Sequence, residues 1–155
     1  MLILGEPDCA DGWPHARNLC ITDNQSLARY LVDAFVVNMP AFRGRSSLPN
    51  VPFLPLTAAR TTGSTDSRIA EIVESGTLVA TMAWEQLGTP FAVELNKDQS
   101  ATGTHETVSI FLEARTAQIV LHGKPLDGEV GNRQLFGRTF STAFLALSET
   151  WIKPT

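Results

Sequence analysis

Two kinds of residue set in this chain have the types and spacing to do chemistry. His105-Glu106 places an imidazole beside a carboxylate, the commonest material for general acid–base catalysis. Arg43-Gly44-Arg45-Ser46-Ser47 places two guanidinium groups around a glycine, with two hydroxyls behind them. Arginine offers a planar donor fork and glycine lets the main chain approach, so the stretch suits a carboxylate or a phosphate. Gly131-Asn132-Arg133 with Gly137-Arg138 repeats those ingredients. Neither cluster reads Gly-Lys-Ser/Thr ahead of a helix, so neither is a nucleotide phosphate loop. Trp84, together with Trp13, Trp151, Phe42, Phe53 and Phe136, supplies aromatic surface of the kind that lines ligand pockets.

Other chemistries lack their residues. Cys9, Asp11, His15 and Cys20 are metal-ligand types, but no paired Cys-x-x-Cys or His-x-x-x-His spacing joins them, so no metal and no cofactor is expected. Three residues beyond Glu106 stands Ser109, where a zinc-protease motif needs a second histidine. No Gly-x-Ser-x-Gly elbow or dinucleotide fingerprint is present. The net charge is −4 and no Lys/Arg cluster stands out, which excludes the concentrated basic patch that nucleic-acid binding needs. No long uncharged apolar run predicts a membrane span. Met1–Asp8 has no basic stretch, so a cytoplasmic chain with free thiols is expected.

The elements that must position these groups follow from periodicity. With 155 residues, 43% hydrophobic and 18% charged, the chain reads as a single domain able to bury a core. Residues 1–21 read as an arm. A helix is predicted over 24–38, capped by Thr22 or Asp23, stopped by Pro40, with Leu27, Tyr30, Leu31, Ala34 and Phe35 as its apolar face. Pro49, Pro52 and Pro55 make 40–65 a long irregular loop. Ser64 or Thr65 caps a second predicted helix over 66–75, where Ile69, Ile72 and Val73 form the stripe.

After Gly76 the period becomes two. Leu78 to Glu85 and Phe91 to Asn96 read as a hairpin through Gly88-Thr89, with Trp84 opposite Val93 and Met82 opposite Leu95. A second Gly-x-Pro, at Gly123-Lys124-Pro125, predicts another two-residue turn with Leu121 opposite Leu126. Between them Thr107 to Ala114 alternates, which puts Glu106 in phase with Val108 and Ile110 towards the core and turns His105 the other way. Residues 140–151 fit strand or helix, and their Ser and Thr content favours strand. The predicted class is α+β: two N-terminal helices packed on one face of an antiparallel, hairpin-connected sheet.

Three functions are compatible with this reading. The first is a small-molecule-binding domain for an anionic ligand, with Arg43, Arg45, Ser46, Arg138 and Trp84 as binding residues. The second is a cofactor-independent lyase, isomerase or hydrolase with Glu106 and His105 as acid and base. The third is a structural or interaction protein, a homodimer that covers a sheet edge or face.

Overall fold

The computed structural model describes residues 1–4, 18–40, 42–45, 47–135 and 137–152. Cys9, Trp13, His15, Ser46 and Phe136 lie outside them. The expected pair of helices on a sheet does not stand: 55% of the described residues are strand and 12% helical. The elements in chain order are β1 (Leu2–Leu4), β2 (Asn18–Thr22), α1 (Gln25–Ala34), β3 (Phe53–Pro55), β4 (Ala58–Ser64), β5 (Arg68–Ser75), β6 (Leu78–Leu87), β7 (Phe91–Leu95), β8 (Glu106–Leu121), β9 (Lys124–Pro125), β10 (Asn132–Leu135), β11 (Arg138–Ser141) and β12 (Phe144–Trp151). Short 3-10 turns occupy Val36–Asn38 and Leu48–Asn50. No described helix is long and apolar enough to cross a membrane.

The strands form a three-stranded sheet in the order β1-β2-β3, a two-stranded β10-β11 ribbon, and a seven-stranded sheet. The last runs β12-β8-β6-β5-β4, with β7 and β9 also paired to β8. Two compact units are distinguished. The first comprises Met1–Thr61, Glu71–Met82 and Gln118–Gly128, and the second Thr62–Ala70, Ala83–Ala117 and Glu129–Thr155.

In the first unit, the stretch read as an arm supplies β1 and β2, whose Ile3, Leu19 and Ile21 are buried in a core with Val73, Ala80 and Leu121. The helix exists because its start and stop are local. Asn24, rather than Thr22 or Asp23, accepts from the Leu27 N–H at 3.0 Å, and α-helix gives way to the 3-10 turn after Phe35. Its buried face is a different one from the stripe expected. Ala28 and Val32 are the buried residues of the helix. Ala28 packs in a core cluster with Cys20 and Val51, whereas Leu27, Tyr30 and Leu31 are exposed. Small residues allow α1 a close approach that the larger stripe would prevent.

The second predicted helix is a strand, β5. Its capping signal is real and closes a different structure: the Ser64 hydroxyl accepts from the Asp66 N–H at 3.1 Å, and the Ser67 N–H donates to the Ser64 carbonyl at 3.2 Å, in the turn between β4 and β5. Gly63, at φ +97°, completes that bend, and a Cβ there would collide with the Arg68 carbonyl oxygen. Beyond the turn, β-branched Ile69, Ile72 and Val73 favour the pleated surface.

The two Gly-x-Pro signals resolve differently. His122-Gly123, at φ 47° and 76°, form the turn of a hairpin in which Leu121 faces Lys124 and Val120 faces Pro125; the turn lies one residue earlier than expected, which moves the partner of Leu121 two residues, from Leu126 to Lys124. Two consecutive positive φ values make a type I′ turn, and His is among the side chains that tolerate the left-handed region. Gly88-Thr89 forms no hairpin. β7 pairs with β8, setting Val93 against Ser109 and Phe91 against Phe111. Carrying that ladder back would set Gly88 against Ala114, yet the Gly88 N–H donates to the Glu113 carbonyl at 2.8 Å. One extra residue therefore sits between Gly88 and Phe91, a β-bulge that Pro90, lacking a donor, accommodates.

Candidate functional site

Within the second unit, β8 alternates two rows. Thr107, Ser109, Phe111 and Glu113 share one face; Glu106, Val108, Ile110, Leu112 and Ala114 share the other. The first row is buried at Ser109 and Phe111. Phe111 stacks on Phe91, directly opposite on β7, with ring centroids 5.7 Å apart, and meets Phe140 and Phe144 edge-on at 5.7 and 5.4 Å. Phe140 is fully buried at the centre of this aromatic group.

The β10–β11 ribbon brings two arginines to the same rings. Arg133 pairs with Phe140, and Arg138 lies two residues before it, so all three share one face of the ribbon. The Arg133 guanidinium lies 5.1 Å from the Phe144 centroid, and that of Arg138 lies 4.3 Å from Phe91 and 5.8 Å from Phe140. Arg138 is further held by Glu113, the next residue of the aromatic row on β8. Its Nη2 donates to one Glu113 oxygen at 2.6 Å, while the other oxygen accepts the Ser141 N–H at 3.2 Å. The Ser141 hydroxyl donates to the Ala114 carbonyl at 2.7 Å and accepts the Ala143 N–H at 3.1 Å. The carboxylate and the rings therefore fix the guanidinium with little freedom left to lose on binding.

Above this arrangement lies a groove of about 730 Å³, all of whose lining residues belong to the second unit. One wall is the bulge, Gly88 to Phe91, together with Gln86, whose φ of 53° is uncommon for a non-glycine residue. The other carries Gly131, Asn132 and Arg138. Gly131 is tied down by Thr142, whose hydroxyl accepts its N–H at 2.8 Å. Glu113 and Arg115 lie on the floor contributed by β8. The Arg115 side chain is exposed and has no hydrogen bond or ion pair among the described residues. The ionisable lining is thus Arg115, Arg138 and Glu113, two cations against one anion, in a chain whose net charge is −4.

Of the residues singled out from the sequence, Arg138 lines this groove together with Gly131 and Asn132 of its cluster; Trp84, Arg43, Arg45, His105 and Glu106 do not. Trp84 is half-buried on β6. Arg43 belongs to the first unit, where its Nη2 donates to the Asn38 carbonyl at 2.9 Å; Arg45 is exposed in the same turn. His105 closes the loop before β8, its Nδ1 meeting the hydroxyls of Thr102 and Thr104 at 2.8 Å each. Glu106 accepts the Trp151 indole N–H at 3.0 Å from the paired position on β12. Along its row Ile110 is 43% exposed, whereas Leu112 and Ala114 further on are buried at 3% and 0%. His105 and Glu106 hold separate partners.

Glu113, Arg115 and Ser141 were missed. Glu113 and Arg115 stand two apart in a strand, an alternation that places opposite charges on one face, and that was the available signal. Among the described residues, no three His, Cys, Asp or Glu side chains gather as metal ligands. No family model, curated protein or solved structure matches this chain.

Proposed function

We propose that the groove beside β8 binds a small anionic molecule, a carboxylate or phosphate carried on an apolar body. The carrying observation is the charge of the lining. Glu113 neutralises and immobilises Arg138, which leaves Arg115 as an uncompensated cation on the floor. An incoming anion bridges Arg115 and the outer edge of Arg138, while the Asn132 amide offers a further donor and Phe91 an apolar wall. The bulge and the positive φ of Gln86 support the reading, because irregular backbone of this kind concentrates where a strand is re-aimed at a ligand.

Thermal unfolding in the presence of a panel of carboxylated and phosphorylated metabolites tests it. A ligand at a hundredfold excess over its Kd stabilises by about 2.7 kcal/mol, or a few degrees for a domain of this size. The stabilisation should be lost in Arg115→Ala and kept in Arg43→Ala. No shift across the panel, or one that Arg43→Ala abolishes and Arg115→Ala does not, contradicts the assignment.

A further inference from the structure

β12 is the end strand of the seven-stranded sheet: β8 pairs one side, and no described strand pairs the other. Its register with β8 runs through eight consecutive residue pairs, from Phe144 with Glu113 to Trp151 with Glu106, without a bulge. Between Phe144 and Trp151 there is no proline and no lysine, and Glu149 is the one charge, so few of the usual devices that blunt an open edge are in place. β4, at the far end of the strand order, is by contrast exposed throughout and offers Arg60, Thr61, Thr62 and Gly63.

The outward-pointing groups of β12 can be identified. The Ala114 N–H donates to the Ala143 carbonyl at 2.9 Å, and antiparallel ladders alternate, so the main-chain groups of residues 145, 147, 149 and 151 point to β8. Those of Phe144, Ala146, Ser148 and Thr150 then point away. The 2.7 Å contact between the Ser109 and Ser148 hydroxyls agrees, since side chains come closest at pairs that exchange no main-chain bonds. On the face shared by residues 145, 147, 149 and 151, Leu147 is 64% exposed, Ile110 opposite it on β8 is 43% exposed, and Trp151 at the end of the strand is 40% exposed.

We infer that the occupant of this edge is β12 of a second copy, paired antiparallel about a two-fold axis at Leu147. That register matches the outward groups of Ala146 with Ser148 and of Phe144 with Thr150, and lays Leu147 against Leu147. Face parity is kept, as a sheet continuing across two copies requires. Charge excludes the registers centred on Ser148 or Glu149, and laying the most exposed apolar side chain of the strand, Leu147, against its equivalent chooses among the rest. Glu149, the only ionisable residue on β12, then faces Leu145 of the other copy, about 13 Å from its equivalent and beyond the screening length. A register centred on Glu149 would oppose two carboxylates. Pairing buries the flank of a strand about 27 Å long and the Leu147 side chains where the two copies meet. An interface of that extent falls at the low end of specific ones, so the dimer forms in the micromolar range.

Sedimentation velocity across the micromolar range tests this, on the native chain and on Ala146→Pro and Leu147→Lys. Ala146→Pro removes a donor that β8 does not use, and so blocks the edge while leaving the β8–β12 ladder intact. The native chain should pass from monomer to dimer, with the Ser148 and Thr150 amides gaining exchange protection as dimer forms. Both variants should weaken the dimer by about tenfold or more. Should Ala146→Pro disturb folding by circular dichroism, Leu147→Lys carries the comparison alone. A native chain that stays monomeric, a dimer that survives Leu147→Lys, or growth into larger species as β12-to-β4 pairing would produce, overturns the inference.

Discussion

Glu113 meets Arg138 at 2.6 Å with one carboxylate oxygen and takes the Ser141 N–H at 3.2 Å with the other, so a single side chain on β8 ties both ends of β11. The ion pair is half-exposed, with the arginine side chain at 50% and the glutamate at 26%, and on its own contributes about 0.2–1 kcal/mol. The bond to the Ser141 main chain matters more, because that N–H is part-buried and would lose its acceptor.

Glu113→Ala should therefore destabilise the protein by about 2 kcal/mol and Glu113→Gln, which keeps an acceptor, by under about 1 kcal/mol. Urea unfolding of the two variants distinguishes these values. Equal losses would mean that the charge, and not the main-chain bond, carries the contact.

The two Gly-x-Pro sequences predict opposite responses to the same substitution. Gly123 holds φ +76° in the type I′ turn, and Gly123→Ala should cost about 1 kcal/mol although its Cβ would meet open space. Gly88 has no positive φ, and a Cβ there would rest 3.6 Å from the Glu113 carbonyl oxygen, so Gly88→Ala should lie within about 0.5 kcal/mol of the native chain. Chemical denaturation of both variants checks the pair, and a larger loss at Gly88 would restore the hairpin turn to that position.

These glycines also show what the sequence can and cannot convey. α1 was legible because cap and stop are local: an Asn/Asp/Thr cluster before the helix, and Pro40 beyond it. Its buried face was not, since Leu27, Tyr30 and Leu31 outweigh Ala28 and Val32 in hydrophobicity but not in fit. β5 imitated a helix through a hydroxyl cap at Ser64 and an apolar spacing that either period satisfies, and only pairing with β4 and β6 decides. The strands β6, β7 and β8 were recognised and their partnership was not, because a Gly-Thr-Pro bulge and a Gly-Thr turn look alike locally. In the site, Arg138 was visible as part of a glycine–arginine cluster. Glu113 and Arg115 were read only as strand residues, as their importance comes from a ribbon folded back from more than twenty residues away.

Cys20 is 6% exposed, and burial pushes its thiol above the usual 9.0, with the Met1 ammonium and Arg29 opposing in part. The native thiol should resist iodoacetamide at pH 8 and react on unfolding, measured in a Cys9→Ser background so that a single thiol is followed. The same shift sets a pH trend. As pH rises past about 9 the unfolded thiol ionises first while the native one keeps its proton, so the unfolded state binds fewer protons and stability falls. Between neutral pH and pH of about 10 the native chain should lose more stability than Cys20→Ala. Equal losses, or rapid native alkylation, would place the thiol in contact with solvent.

The central claim is that the groove beside β8 receives an anion through Arg115 and Arg138. Two-dimensional nitrogen–proton spectra, with inorganic phosphate and benzoate titrated separately against sodium chloride at matched ionic strength, test it most directly. The claim predicts saturable shifts at the Arg115 and Arg138 Nε–H and at the Gly131 and Asn132 amides with at least one of the two probes, absent with chloride and abolished in Arg115→Ala. Shifts no larger than those of chloride, or shifts centred on Arg43 and Arg45, would contradict it.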